Sequence, residues 1–326
     1  MNNINRGIRF LHLVKNVKSF TSSSSKRRVI NAIVGVDKYC MELVKQHDFD
    51  NYLIGLLIPS QYRSSFFAIR AFNVEIATIK DQANNNVMAG RIRFQYWRDV
   101  LDDISSGKDF PLSTATNQPV AYALYKHINE LNLTLRWFQR SIEARQSDLS
   151  IDRYETLDEL EDYAEKAHSS ILYLLLESMN IKDENVEYIA SHVGVSYGIM
   201  ILLRGFAYHS SKGAIYIPRD IMTKCGLKPD VVVRGPRNEQ EQTCLNNAIF
   251  EVASQAFGHL DMARKLNAKG IPANSIYSLL PAVRSSLFLE DLRKVDFNPV
   301  HPSILQPSSH LNFQLSILKS SWFKTF

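Results

Sequence analysis

The sequence predicts an all-α protein, and three observations support this fold class. From Val29 onward, apolar residues recur every three or four positions in segment after segment, which is the period of a helix with one buried face. Nowhere do several alternating apolar and polar runs follow one another with hairpin turns between them. The 326 residues are 45% apolar and 22% charged, a composition typical of a globular protein with a sizeable core.

The predicted helices are separated by proline, glycine and charged loops. Pro59 interrupts the chain before the second helix, Pro111 and Pro119 bracket a polar loop, and 226–242 is a loop rich in proline, glycine and charge. Thr156 with Glu159 forms a capping box at the start of the sixth helix. The predicted helices cover about 30–47, 61–82, 87–105, 118–131, 135–148, 157–178, 185–206, 242–267 and 276–294, with a shorter one at 311–321.

The first 28 residues differ in composition from the rest of the chain. They contain seven Lys and Arg residues and a serine run but no acid, and Ile4, Ile8 and Leu11 have helical spacing. This composition is typical of a mitochondrial transit peptide, with a disordered basic tail as the alternative. We therefore expect a transit peptide over 1–28, one helical domain over 29–300 and a C-terminal tail over 301–326.

Charge and cysteine usage exclude several classes of ligand. The formal net charge is +5, and without the basic leader the body is near neutral, which argues against nucleic acid as a partner. Cys40, Cys225 and Cys244 form no CxxC pair, so we expect free thiols and neither a disulfide framework nor a zinc site. No run of 18 or more apolar residues is present, so any membrane contact is expected to be peripheral.

Five landmarks follow one another along the chain: Phe67–Asp81, Arg91–Asp102, Gln118–Val120, Tyr163–Ala167, and Gly198–His209 with the following Gly213–Pro218. The first begins with an aromatic lead-in, and the last ends in a Gly-x-Ile-Tyr-x-Pro segment. In this order the landmarks resemble segments of squalene and phytoene synthases, in which the lead-in precedes an aspartate-rich motif. Where that family has Tyr-x-x-x-Ala-Gly, His168 stands in place of the glycine. The resemblance implies an isoprenoid-synthase-like helical bundle around a central cavity.

The resemblance also implies that carboxylates on two helices hold Mg²⁺ against a diphosphate, and here most of them are missing. At the first motif, residues 77–81 are Ala-Thr-Ile-Lys-Asp, which retains only Asp81. At the second motif, Gly205, Tyr208 and His209 stand where acids are expected. Neither a neutral phenol nor an imidazole is a ligand that magnesium prefers. The sequence thus predicts a pseudoenzyme with no catalytic, metal-binding or cofactor-binding residue and no cofactor.

Other polar residues have a simpler structural explanation. Asp158–Asp162 matches DxxxD literally, but it fills the first turn of a helix, where acids favourably meet the helix dipole. We expect surface or capping roles for most of the remaining acids, and core or surface roles without a metal for the histidines: Asp81, Asp99, Asp102, Asp103, His168, His192 and His259. Two roles stay open for Glu75, which lies on an otherwise apolar helix: an ion pair with Arg70 or Arg204, or contact with a ligand.

Five further stretches narrow the resemblance: Arg70–Glu75, Tyr163–Glu165, Ser169–Ser170, Val295–Phe297 and His301–Pro302. These stretches resemble, nearly residue for residue, a mitochondrial branch of the synthase family whose members are assembly factors for respiratory complex I. The resemblance implies a non-catalytic role early in complex I assembly at the matrix side of the inner membrane, supporting a membrane-arm subunit. Implied partners are complex I subunits or other assembly factors, with peripheral membrane contact and a lipid in the cavity as a further option. One alternative is a carrier of an isoprenoid or another lipid, in which Arg70 or Arg204 meets the head group of the lipid. The other alternative is an active prenyl diphosphate transferase.

Overall fold

A computed structural model describes residues 23–83, 86–150, 153–306 and 310–326, with side chains from residue 34 onward. These residues form helices and connecting turns without a strand, so the predicted all-α class is confirmed. Most of the predicted transit peptide, residues 1–22, lies outside the described residues and stays a prediction.

One compact unit contains the described residues up to Gln146 together with Leu174–Ile181. Its central helix is α3, which packs against α1, α2 and α7. The ring of Phe72 in α3 is fully buried and meets Trp97 and Phe138 edge-on, with centroids 5.2 and 5.1 Å away. The helices are α1 (Ser23–His47), α2 (Phe49–Leu57), α3 (Ser60–Ala77), α4 (Ile79–Gln82), α5 (Val87–Ser105), α6 (Leu112–Asn117), α7 (Pro119–Leu131) and most of α8 (Leu135–Asp148).

A second compact unit contains the described residues of 147–173 and 182–326. Its central helix is α11, which packs against α15, α17 and a π-helical turn, Glu165–Ser169, that leads into α10 (Ser170–Ser178). A 3₁₀ turn at Ala273–Ser275 precedes α16. The other helices are α9 (Leu157–Ala164), α11 (Glu184–Arg204), α12 (Phe206–Ser211), α13 (Arg219–Lys224), α14 (Pro229–Arg234), α15 (Glu239–Asn267), α16 (Ile276–Leu279), α17 (Pro281–Lys294), α18 (Pro302–Leu305) and α19 (His310–Phe323).

Helix α11 is long and apolar enough to cross a membrane by length and composition, and the protein buries 72% of its most apolar window. Two glycines on one face let a neighbouring segment approach closely. A Cβ at Gly194 would lie 2.6 Å from the Cα of Ser169, and one at Gly198 would lie 2.8 Å from the Cβ of Ala164. The extensive burial is typical of the core helix of a folded domain.

The long helices that the sequence predicts are present in the structure, but several of them are interrupted at positions that the sequence did not indicate. The predicted 135–148 helix has the observed bounds, whereas the predicted 61–82 helix is interrupted at Thr78. The Thr78 hydroxyl donates a hydrogen bond to the carbonyl of Val74, 3.0 Å away, and such bonds compete with the helical ladder. The prediction of loops at 112–118 and 226–242 was wrong in part, because short helices α6 and α14 form there. Helix α14 begins at Pro229, whose fixed φ suits a first helical turn.

Candidate functional site

The segment that resembles the first motif lies on α3, and its arginine is committed to a structural network. Arg70 is 2% exposed, and its Nη2 donates to the side-chain oxygen of Asn51. Asn51 in turn donates to Asp48 Oδ1 at 2.8 Å, and Arg70 Nη1 lies 3.9 Å from Asp48 Oδ2. The charge of the buried guanidinium is therefore neutralised within the unit. The sequence left two options open for Arg70: an ion pair with Glu75, and contact with the head group of a bound lipid. Arg70 instead pairs with Asn51 and Asp48, so neither option is seen.

Glu75, two residues before the end of α3, is half-buried, and its carboxyl makes no hydrogen bond or ion pair with the described residues. Burial raises the pKa of its carboxyl, and the nearby His47 and Arg93 only partly offset this effect. Burial, and after it the charge of the same carboxyl, raises the pKa of the neighbouring Tyr96. Glu75 is therefore a destabilised carboxylate that lacks the ion pair with Arg70 or Arg204 offered as one option by the sequence, and contact with a ligand stays the other option.

At the end of α3, the positions of the first metal motif offer few ligands. Ala77 is exposed, and the Thr78 hydroxyl bonds to the carbonyl oxygens of Val74 and Glu75 at 3.0 and 3.2 Å. Asp81 is exposed on the separate short helix α4, in agreement with its predicted surface role. The neighbouring Gln82 accepts a hydrogen bond from Arg93. At this end of α3, the side chains of Thr78 and Gln82 are thus already engaged in hydrogen bonds within the protein.

The second motif begins where α11 ends, and an imidazole fills the space next to its glycine. A Cβ at Gly205 would lie 2.6 Å from Nε2 of His209 and 3.3 Å from the carbonyl oxygen of Ile201. The His209 ring is itself packed edge-on against Tyr216, with centroids 4.7 Å apart. Tyr208 is exposed, with the ammonium of Lys212 6.0 Å from its ring centre. No carboxylate side chain can therefore be placed at position 205 without moving His209.

A buried carboxylate that the sequence did not single out lies close to this segment. Asp148 is buried and accepts hydrogen bonds from the hydroxyls of Tyr154 and Tyr216, at 3.1 and 3.0 Å on its two oxygens. Burial, followed by the charge of Asp148, strongly raises the pKa of Tyr154. Sequence spacing could not reveal this cluster, because 68 positions separate Asp148 from Tyr216.

A small apolar pocket adjoins the same residues. Its empty volume is about 340 Å³, including space open to solvent, and His209 and Tyr216 supply its polar groups. The remaining walls come from α9, α11, α12, α14, α15 and the loop before α13, and include Leu160, Ile199, Phe206, Ile217 and Val252. The space is small and mainly apolar, so it does not suit a diphosphate.

Neither segment fits a magnesium cluster. Mg²⁺ prefers octahedral oxygen ligation, with carboxylates shared between the ion and substrate phosphates. The side chains at the motif positions are a hydroxyl that is hydrogen-bonded to the backbone, one exposed carboxylate, a phenol and an imidazole, from Thr78, Asp81, Tyr208 and His209. Glu75 adds one half-buried carboxylate just before the first motif, which still leaves too few oxygen ligands for a cluster. Among the described residues, no group of three or more His, Cys, Asp or Glu is placed to hold a metal ion. The absence of catalytic, metal and cofactor residues nevertheless stays a prediction.

The literal DxxxD sequence at the start of α9 is a helix start, as predicted. The Thr156 hydroxyl accepts a hydrogen bond from the amide of Glu159 at 3.3 Å. Glu159 accepts one from the amide of Glu155 at 2.8 Å, and Asp162 pairs with Lys166 one turn on. These acids are engaged in capping and surface pairing.

Two histidines that looked unrelated in the sequence form a pair. Nδ1 of His192 lies 2.8 Å from Nδ1 of His259, and Nε2 of His259 lies 3.3 Å from Glu161. Burial and the nearby His259 lower the pKa of His192. His168 is buried instead, with its ring edge-on to Tyr197.

The fold is similar to that of solved prenyl-synthase structures. The crystal structure of a dehydrosqualene synthase in complex with ligand matches with a TM-score of 0.76, over 91% of this chain and 100% of that chain, at 19% identity. At that identity the likeness concerns the fold alone. The molecule is an all-α protein with an isoprenoid-synthase-like fold, which confirms the predicted fold class.

The sequence comparisons then define the family. The profile of the squalene/phytoene synthase family matches residues 44–316, and the chain belongs to this family. A human protein named NADH dehydrogenase (ubiquinone) complex I, assembly factor 6, is 38% identical over 292 residues, 90% of this chain and 84% of the human one. A Dictyostelium discoideum homolog of that factor is 34% identical over 319 residues, 96% of this chain and 85% of the relative.

Proposed function

We propose that this protein is a non-catalytic assembly factor for mitochondrial respiratory complex I. The observation that carries the proposal is its similarity, at 38% identity and over most of both chains, to a human protein with that name. The two motif segments support a role without ionisation chemistry, because their side chains do not fit a magnesium cluster. In this proposal the fold is a pseudoenzyme scaffold that acts through binding.

The finer features of the proposal concern timing and place. The protein acts early, on the biogenesis of a membrane-arm subunit, in contact with complex I subunits or other assembly factors. It is imported by the leader over 1–28 and lies peripherally at the matrix side of the inner membrane. The basic, acid-free composition of the leader supports the import step.

The test is removal of the protein from cells, followed by native gels stained for NADH dehydrogenase activity. We expect a selective loss of assembled complex I, with the other respiratory complexes unchanged. Pulse labelling is expected to show loss of intermediates that contain membrane-arm subunits, while intermediates of the peripheral arm persist. Normal complex I in the absence of the protein would contradict the proposal.

A rescue experiment separates the assembly role from hidden catalysis. Asp81 is the one carboxylate retained at the positions of the first motif. Because it is exposed, Asp81→Asn is expected to leave the fold intact and to restore complex I as well as the unsubstituted chain. Failure of this variant to rescue, at normal protein level, would point to a metal-dependent enzyme.

A second candidate function is an isoprenoid or lipid carrier, for which the pocket next to His209 and Tyr216 has a suitably apolar lining but would have to widen to take an isoprenoid chain. The carrier predicts a lipid that copurifies with the folded protein and is identified by mass spectrometry of an organic extract. Phe206→Trp, which adds volume to the pocket wall, is expected to reduce the extracted lipid. A lipid-free protein that still supports complex I would exclude the carrier function.

A further inference from the structure

The C-terminal helix α19 has two apolar faces, and the fold uses one of them. Phe313 and Ile317 are buried on the inner face, where α19 packs against α16 and α17. The buried guanidinium of Arg284 lies 4.0 Å from the centre of the Phe313 ring. The helix is therefore anchored to its own unit by the inner face.

The outer face of α19 is a stripe of exposed apolar side chains. Leu311, Leu315, Leu318 and Trp322 follow one another at intervals of four, three and four residues, which places them on one side of a helix. Trp322 is 86% exposed, and the three leucines are between 47% and 63% exposed. Single exposed apolar residues need no explanation, but a row of four that ends in a tryptophan forms a contiguous patch.

The end of α19 is held in place beyond its last turn. Arg264 in α15 donates a hydrogen bond from Nε to the carbonyl of Phe326 at 2.8 Å. Asn267 donates one to the carbonyl of Lys324 at 3.0 Å. The stripe is thus a preformed surface on an anchored helix, so that binding to it requires little ordering of the chain.

The charge around the stripe indicates the partner. Residues 297–326 contain no Asp or Glu, and the cations of this segment include Lys319, which is exposed beside the stripe, and Lys324. Trp322 is a side chain that favours the boundary between water and hydrocarbon, and the neighbouring Phe323, which is 68% exposed, adds apolar surface beside it. Leucines with a terminal tryptophan, flanked by lysines and without acids, match an interfacial helix on an anionic bilayer.

We propose that the outer stripe of α19, formed by Leu311, Leu315, Leu318 and Trp322 with Lys319 and Lys324, docks the protein on an anionic lipid bilayer. The inference deepens the peripheral membrane placement proposed above and names its surface. It is independent of the role in complex I assembly, because lipid binding is measured on the purified chain.

The test uses the full chain with vesicles of phosphatidylcholine, with or without anionic phosphatidylglycerol. The basic leader can itself hold the chain on anionic vesicles, so the readout is local to the stripe. The three tryptophans are Trp97, Trp137 and Trp322, and subtracting the emission of a Trp322→Phe variant isolates the signal of Trp322. We expect a blue shift and protection from iodide quenching on anionic vesicles, and a weaker effect on neutral ones.

Matched variants decide the outcome. Leu311→Ser, Leu315→Ser and Leu318→Ser combined are expected to abolish the blue shift, and circular dichroism checks the fold of this surface variant. Lys319→Gln with Lys324→Gln is expected to weaken binding to anionic vesicles roughly 30-fold, since each lysine near such a surface contributes about 1 kcal/mol. Tyr188→Ser, which removes a side chain of similar exposure (66%) from α11, is expected to change nothing.

Three results would overturn the proposal. The first is an unchanged Trp322 emission when anionic vesicles are added. The second is a blue shift that survives the triple serine substitution. The third is a blue shift that appears without vesicles as protein concentration rises, together with a dimer in analytical ultracentrifugation, which would assign the stripe to a second copy of the chain.

Discussion

Gly205 and His209 stand one helical turn apart, and the imidazole occupies the volume that any side chain at position 205 needs. The imidazole in turn packs edge-on against the ring of Tyr216, whose hydroxyl donates a hydrogen bond to the buried Asp148. A substitution of Gly205 therefore acts on a packed group, although the backbone angles at 205, φ −80° and ψ 3°, suit any residue. The glycine is required here by crowding and not by its conformation.

Gly205→Ala is expected to lower the free energy of unfolding by about 1–2 kcal/mol, because the new Cβ displaces His209 from Tyr216. The same substitution in a His209→Ala background is expected to cost less than half as much, since the obstructing ring is gone. Urea unfolding of the four proteins of this double-mutant cycle measures the coupling. Equal costs in both backgrounds would show that the ring is not the obstacle.

The environment of Glu75 leads to a second prediction, which concerns the pH dependence of stability. Burial raises the pKa of its carboxyl above the unfolded value, so the folded state binds this proton more tightly and stability falls as pH rises between the unfolded and the folded pKa. Glu75→Gln is expected to stabilise the protein at pH 7 by ~0.5 kcal/mol, a small gain because solvent partly reaches the group. The gain is expected to vanish below the unfolded pKa of about 4.3.

Urea midpoints at pH 7 and pH 4 measure this effect. Glu42→Gln is the matched control, because Glu42 is a partly exposed residue of α1 with Lys45 as its ion-pair partner. We expect its stability to change little at either pH. A loss of stability in Glu75→Gln at pH 7 would show that the carboxylate has a stabilising partner.

At the scale of single elements, the contact of α11 with the segment 164–169 depends on glycine. The backbone of Ser169 approaches Gly194 so closely that no Cβ fits, and the hydroxyl of Ser169 donates to the carbonyl of Ser191, 3.0 Å away. This backbone contact cannot relax by a rotamer change. It therefore sets the distance between α11 and the π-helical turn.

Gly194→Ala is expected to destabilise the protein by roughly 2–4 kcal/mol, because either the helix or the turn must move. Gly258 in α15 is the matched control, since nothing lies within 4 Å of a Cβ built there. Gly258→Ala is expected to stabilise by about 0.5–1 kcal/mol through helix propensity and lower entropy of the unfolded chain. Thermal and urea unfolding compare the two, and equal effects would contradict the close approach.

For the whole molecule, the central question is whether the synthase fold still performs synthase chemistry. Purified protein with Mg²⁺ and an allylic diphosphate is expected to release no diphosphate above the buffer blank, because the side chains at the two motif segments do not suit a magnesium cluster. A phytoene synthase in the same assay is the positive control. Turnover that depends on Mg²⁺ and is lost in Asp81→Asn would show that an active prenyl transferase survives.

Much of this architecture was predictable from the sequence, and what was missed has physical reasons. Helical periodicity identified the long helices, and the resemblance to squalene and phytoene synthases identified the fold, because both signals are local. The sequence could not place Asp148 with Tyr216 or His192 with His259, since contacts between distant segments leave no spacing pattern. Short helices such as α6 and α14 were missed because fewer than two turns give too little periodicity.

The π-helical turn has a consequence for the alignment of this chain with its relatives. The glycines of α11 at 194 and 198 receive this turn and the end of the helix before it, with Ser169 next to Gly194 and both His168 and Ala164 next to Gly198. A π-helical turn contains one residue more than a regular helical turn. Deleting one residue from it would rotate everything that follows in the helix by about 100°. Any relative with a regular helix here must therefore be aligned with a one-residue gap, and an ungapped alignment assigns the wrong counterparts from Ser170 onward.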